Sequence, residues 1–140
     1  MNWTELPKEI LEQAYRAALQ ARERAYAPYS KFRVGAALVL RDGSIFSGCN
    51  VENASYGATN CAERTAVFSA VAEKGGKLDV AGIVLVTEPM AYPCGLCLQV
   101  MGEFFSPDTP VYLTDPAGVR ERKRFGDLLP NAFAAEFLKK

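Results

Sequence analysis

The 140-residue sequence predicts an α/β fold, and three observations carry that reading. An Asp42-Gly43 pair lies between two apolar runs, "RVGAALVL" and "SIFSGCNV", which is a hairpin signal. "VAGIVLVT" is an unbroken apolar run, as expected of a strand buried on both faces. "NCAERTAVFSAVAEKGG" and "CGLCLQVMGEFF" have helical patterns, and each opens at a cysteine.

In chain order, the segment from about Thr4 to Ala25 places Ile10, Leu11, Ala14, Ala17, Ala18, Ala21 and Ala25 at helical spacing. That stripe is mostly alanine, so the helix should pack close to its neighbours. Pro7 suits a first turn, and Pro28 ends the region. The hairpin supplies two strands. The first internal helix stops at Gly75-Gly76. The apolar strand, the second internal helix and a short strand "PVYLTD" follow, and the tail "FGDLLPNAFAAEFLKK" is a helical pattern broken by Pro130. The basic run "RERKR" at 120–124 contains Glu121 and reads as a solvated face. There is no repeat, low-complexity segment or linker, so one domain over residues 1–140 is expected.

Composition narrows the function. Sixteen basic and sixteen acidic residues cancel, which argues against nucleic-acid or anionic-membrane partners. The first ten residues lack a basic-then-apolar leader pattern, so a cytoplasmic protein is expected, with its four cysteines as thiols or metal ligands. Histidine is absent, which excludes Ser-His-Asp and Cys-His chemistry and any histidine-bound metal.

A strand-helix-strand-helix-strand order aims both internal helices the same way. Their N-termini then share the sheet edge at the strands' carboxyl ends, where α/β sheets bind ligands. Cys61 opens one helix, Cys94 the other, and Cys97 lies on the same helical face as Cys94. Three converging thiols suit zinc, and three protein ligands leave an open position for water. Cys49 is the one candidate for a fourth ligand of a closed structural site, but a small cysteine near a strand end is better read as simple burial. Glu63 follows Cys61 by two residues and could reach a metal lying off the helix end, where a carboxylate can move water's proton. Glutamate in a first turn also complements the helix macrodipole. Zinc with three thiolates carries a formal charge of about −1, which two helix N-termini and Arg64 would offset.

"CAER" together with "PCGLC" resembles the zinc-dependent cytidine deaminase superfamily. "YAPYSKFRVGAAL", "GCNVENASYG", "NCAERTA", "PCGLCLQV" and "LLPNAF" resemble, in order, blocks of its small homotetrameric nucleoside members. The resemblance implies a three-layer cytidine deaminase-like α/β fold, with a mixed five-stranded sheet flanked by helices. It implies hydrolysis of cytidine and 2′-deoxycytidine to the uridine forms with release of ammonia, in pyrimidine salvage. Cys61, Cys94 and Cys97 would hold Zn²⁺, and Arg64 would donate to the thiolates. Glu63 would take the water's proton, protonate ring N3 and hand a proton to the leaving ammonia. The Ala62 backbone and carbonyls near Cys94 would hold the base edge, and Phe32 would pack on the base or sugar. Asn50 and Glu52, two apart on a strand and so on one face, would bind ribose hydroxyls. Tyr56 and Phe133 would reach a neighbouring subunit's pocket in a homotetramer. The partner implied is a small nucleoside, not nucleic acid or membrane.

Many relatives carry arginine immediately after the second cysteine of the CxxC, where this chain has Leu98. Tuning of the metal site is therefore expected to rest more on Arg64. The alternative substrate is a cytosine nucleoside antibiotic of the blasticidin S type. "NVEN" and "LLPNAF" favour ordinary nucleosides.

Overall fold

The computed structural model describes residues 5–138. The first helix, α1 (Lys8–Glu23), begins later than the sequence pattern suggests. Pro7 sits at the N-cap in an extended conformation and its carbonyl accepts the first helical bond from Leu11, so the helix cannot extend upstream. Thr4 lies outside the described residues. The buried stripe is Ala14, Ala18 and Ala21, as the alanine spacing predicts.

β1 (Gly35–Leu40) and β2 (Ile45–Cys49) form the expected hairpin. Asp42 Oδ1 accepts the Ser44 amide at 2.8 Å, and Gly43 takes φ 91°, a conformation that favours glycine. Helix α2 (Ala62–Lys74) ends at Gly75 with φ 85°. Strand β3 (Val80–Val86), helix α3 (Gly95–Phe104) and strand β4 (Pro110–Asp115) follow as expected. The tail forms a short helix α4 (Phe125–Leu128) and a 3₁₀ turn (Ala135–Leu138) on either side of Pro130.

The fifth strand, β5 (Gly118–Arg124), is the basic run. It pairs antiparallel with β4 as an edge strand, where outward charge is tolerated and blunts edge-to-edge pairing. Its cations are neutralised locally: Arg120 pairs with Asp115, Arg122 with Glu5, and Arg124 with Asp108, each at 2.7 Å.

The sheet order is β2-β1-β3-β4-β5. β1 is antiparallel to both neighbours and β3–β4 is parallel, so the sheet is mixed. β1 and β3 are buried along their whole length because helices cover both faces. Alternation sorts their side chains. Ala36, Leu38, Ile83 and Leu85 meet α2 and α3, while Ala37, Val39, Val84 and Val86 meet α1. Tyr112 crosses to the N-terminal segment, where its hydroxyl accepts the buried Leu6 amide at 2.7 Å. No helix among the described residues is long and apolar enough to cross a membrane.

Candidate active site

β2 and β3 run parallel to each other because both oppose β1. The helices that follow them start at the same sheet edge. Cys61 is the N-cap residue of α2 and Cys94 that of α3, both in extended conformation. Cys97 is fully buried in the first turn of α3. The three sulfurs lie within 4.8 Å of one another, and Cys61 Sγ is 3.8 Å from Cys94 Sγ. Zinc–thiolate bonds of about 2.3 Å in a tetrahedron separate sulfurs by about 3.8 Å, so the donor set fits zinc in both chemistry and spacing. Cys49 is a half-buried free thiol outside this cluster, and the four-cysteine alternative is not formed.

Charge follows from crowding. Three neighbouring thiols cannot all ionise alone. Cys61 is driven down to about 5 by the hydrogen bond from Cys97 and then by Arg64, whose Nη2 donates to Cys61 Sγ at 3.2 Å. Cys97 is correspondingly raised, because its proton is held by the Cys61 sulfur. Arg64 Nε is buried without a partner among the described residues. Leu98, the departure from many relatives, packs against the apolar cluster under α2 and α3.

Glu63 retains only 5% of its surface, an uncommon situation for a carboxylate. Burial pushes its carboxyl up to about 7, and the negative Cys61 sulfur adds to the shift. A carboxyl with that affinity can both accept and return a proton near neutrality. Ala62, between Glu63 and Cys61, is fully buried.

The Asn50–Glu52 segment is held beside the cluster by a bridge between Val51 and Asn60, the residue before Cys61. Asn50 is buried, and its amide is partly used: Oδ1 accepts from Val34 N and Nδ2 donates to Phe32 O, both at 2.8 Å. Glu52 Oε1 accepts the amides of Tyr29 and Ser30 at 2.9 and 3.1 Å, and Oε2 accepts the Ser30 hydroxyl. The Ser30 hydroxyl first, and then these amides, hold the Glu52 carboxyl below the usual range. The strand expected to carry Asn50 and Glu52 ends at Cys49, and the segment continues as isolated bridges from Val51 to Tyr26 and Asn60, with Val51 exposed.

Phe32 is partly exposed next to this segment. Tyr56 is 78% exposed and touches Tyr29 edge-on, with Glu52 lining the same cleft of about 350 Å³. Phe133 is also exposed and stacks on Phe137, and Gln99 of α3 holds its carbonyl at 2.9 Å. The sequence reasoning passed over Ser30 and Gln99. Each is an ordinary surface polar residue in sequence, and only folding reveals its partner.

The description "cytidine and deoxycytidylate deaminase zinc-binding region" is that of a family model that matches residues 8–113. A cytidine deaminase of Halalkalibacterium halodurans is 54% identical over 121 residues, covering 85% of this chain and 90% of that protein. A cytidine deaminase of Mycobacterium tuberculosis is 44% identical over 121 residues, covering 86% and 87%. The crystal structure of a cytidine deaminase from Burkholderia pseudomallei superposes with a TM-score of 0.80 at 53% identity, covering 87% of this chain and 98% of that one.

Proposed function

Because the chain belongs to the zinc-binding cytidine and deoxycytidylate deaminase family, we propose that it hydrolyses cytidine and 2′-deoxycytidine to uridine and 2′-deoxyuridine. The reaction consumes one water and releases ammonia. The chain is a zinc-dependent hydrolase. The observation that carries the reading is a buried glutamate, Glu63, one residue inside a helix whose N-cap is one of three convergent thiols.

Cys61, Cys94 and Cys97 would hold the zinc, which would supply the Lewis acidity that makes water a nucleophile near neutral pH. Glu63 would take a proton from water as the water oxygen bonds to C4 and pass it to ring N3, then deliver the second proton to the amine as the C4–N4 bond breaks and ammonia leaves. Its burial, two residues from Cys61 at the start of the same helix, supports that role. Arg64 balances the thiolate charge through Cys61. The Ala62 backbone and the carbonyls near Cys94 hold the base edge, and Phe32 packs on the nucleoside. Asn50 keeps one amide hydrogen free of the two bonds named above, and Glu52 keeps acceptor capacity on Oε2, so both can meet sugar hydroxyls.

Tyr56 and Phe133 complete a neighbouring subunit's pocket in a homotetramer, a role that their exposure in the single chain supports. The enzyme acts in the cytoplasm on a free nucleoside. The relatives described above are named cytidine deaminases, and the antibiotic-substrate alternative gains nothing from them.

The test is zinc content and ammonia release on purified protein and its Glu63→Ala variant. About one zinc per chain in both, with turnover of cytidine only in the parent, is expected. Turnover in Glu63→Ala refutes the proton route. Sedimentation of the purified protein as a monomer refutes the shared pocket.

A further inference from the structure

The segment from Ala27 to Val34 is a loop outside the sheet, held by two backbone hydrogen bonds and by the side chains of Ser30, Asn50 and Glu52. Lys31 adopts φ 62°, a left-handed conformation that a lysine rarely takes unless its surroundings impose it. Three groups impose it. The Lys31 amide donates to Ala27 O at 3.1 Å. Asn50 clamps the far end at Phe32 O and Val34 N. Ser30 ties the middle: its hydroxyl donates to Glu52 Oε2 and accepts the Phe32 amide at 3.0 Å.

Ser30 is therefore the link between two groups of the proposed pocket. One side of its hydroxyl fixes the backbone that carries Phe32, and the other fixes the carboxylate of Glu52. A carboxylate offers about four lone-pair sites. Three are taken by the Tyr29 amide, the Ser30 amide and the Ser30 hydroxyl. The arrangement leaves one acceptor on Oε2 and restricts rotation of the carboxylate about its last bond.

We propose that Ser30 is a positioning residue for sugar recognition: its hydroxyl locks Glu52 so that the remaining Oε2 acceptor is presented to a nucleoside hydroxyl, in register with Phe32. This rests on the reading of Glu52 as the sugar-binding carboxylate. Without the lock, Glu52 keeps its charge but must be ordered by the substrate itself, and that cost falls on binding.

The test compares cytidine with 2′,3′-dideoxycytidine, which lacks the 2′ and 3′ hydroxyls and keeps the 5′, in the native zinc enzyme and in Ser30→Ala, Ser30→Thr and Glu52→Gln. It is read as kcat and KM, together with calorimetric Kd values for the unreactive products uridine and 2′,3′-dideoxyuridine. Loss of a hydrogen bond to a charged group predicts about a tenfold rise in KM for cytidine in Ser30→Ala, with kcat nearly kept. The effect on the dideoxy substrate should be under about threefold, uridine binding should weaken in parallel, and Ser30→Thr should restore cytidine. A Ser30→Ala enzyme that loses both substrates equally, or that Thr fails to rescue, overturns the proposal, because a merely structural loop residue does that. Reduced cytidine preference in Glu52→Gln but not in Ser30→Ala overturns it while sparing the sugar role of Glu52. Unchanged preference in Glu52→Gln overturns that role and the Ser30 proposal with it.

Discussion

Gly48 couples the fold to the chemistry and gives the most direct test. It lies on β2 against the first turn of α2, and a Cβ added there would stand 2.5 Å from Ala66 N, 2.7 Å from Ala62 O and 2.9 Å from Thr65 Cβ. The first two are backbone atoms, which cannot rotate away. Ordinary contact begins at 3.4 Å, so Gly48→Ala must separate β2 from α2 by about 0.9 Å at this point. Overpacking of this kind costs about 1–3 kcal/mol. For a chain of this length that corresponds to a fall in Tm of roughly 3–10 °C. The displaced turn also carries Cys61 at its N-cap and Glu63 one residue in. A misplacement near 1 Å at a catalytic group costs about a hundredfold in rate. Calorimetric melting and ammonia-release kinetics on the zinc-loaded variant read both effects. Gly76→Ala serves as control, since nothing lies within 4 Å of its added Cβ. A fall in Tm with kcat preserved would mean that the edge strand β2 yields rather than α2. A Gly48→Ala protein matching the parent in both Tm and kcat would refute the claim that this contact sets the position of the catalytic turn.

Three further outcomes are expected. Arg64→Ala removes the cation that donates to Cys61 Sγ among the described residues, and apparent zinc affinity should fall about 10–100-fold in a competition titration with a chromogenic chelator. Tyr112→Phe leaves the buried Leu6 amide without its acceptor and should cost about 1–3 kcal/mol in urea unfolding. Removing zinc with a chelator should abolish ammonia release, and adding back one equivalent should restore it; activity persisting in metal-free protein would contradict the assigned ligand set.

Most of the architecture is legible in sequence where burial forces a pattern. β3 reads as a continuous apolar run because helices cover it on both sides. β5 is not legible in the same way. An edge strand needs only a few inward residues, and this one carries four basic side chains, three of which pair off the strand with Glu5, Asp108 and Asp115, while Lys123 pairs with Glu121 on β5 itself. The zinc ligands can be found from residue type and spacing, since a CxxC and a third cysteine at a helix start are local features. The role of Ser30 cannot, because its hydroxyl acts on Glu52, twenty-two residues away, across a loop with a left-handed lysine.

The strand-helix-strand-helix-strand order predicts convergence of the thiols, yet β2 and β3 are not neighbours in the sheet, and β1 lies between them. The inference survives because it depends on strand direction rather than adjacency. With β1 antiparallel to both, β2 and β3 point the same way, and the helices after them start on one edge. The same arrangement bears on charge. Two helix N-termini, each contributing roughly half a positive charge, meet a set of thiolates that has one arginine donor at Cys61 and an apolar leucine after Cys97. With three cysteines as the donors, every protein ligand of this site is anionic as a thiolate, so placing them at helix starts offsets part of their combined charge. Moving Cys61 or Cys94 one turn into its helix would give up that compensation even if the sulfur distances could be kept.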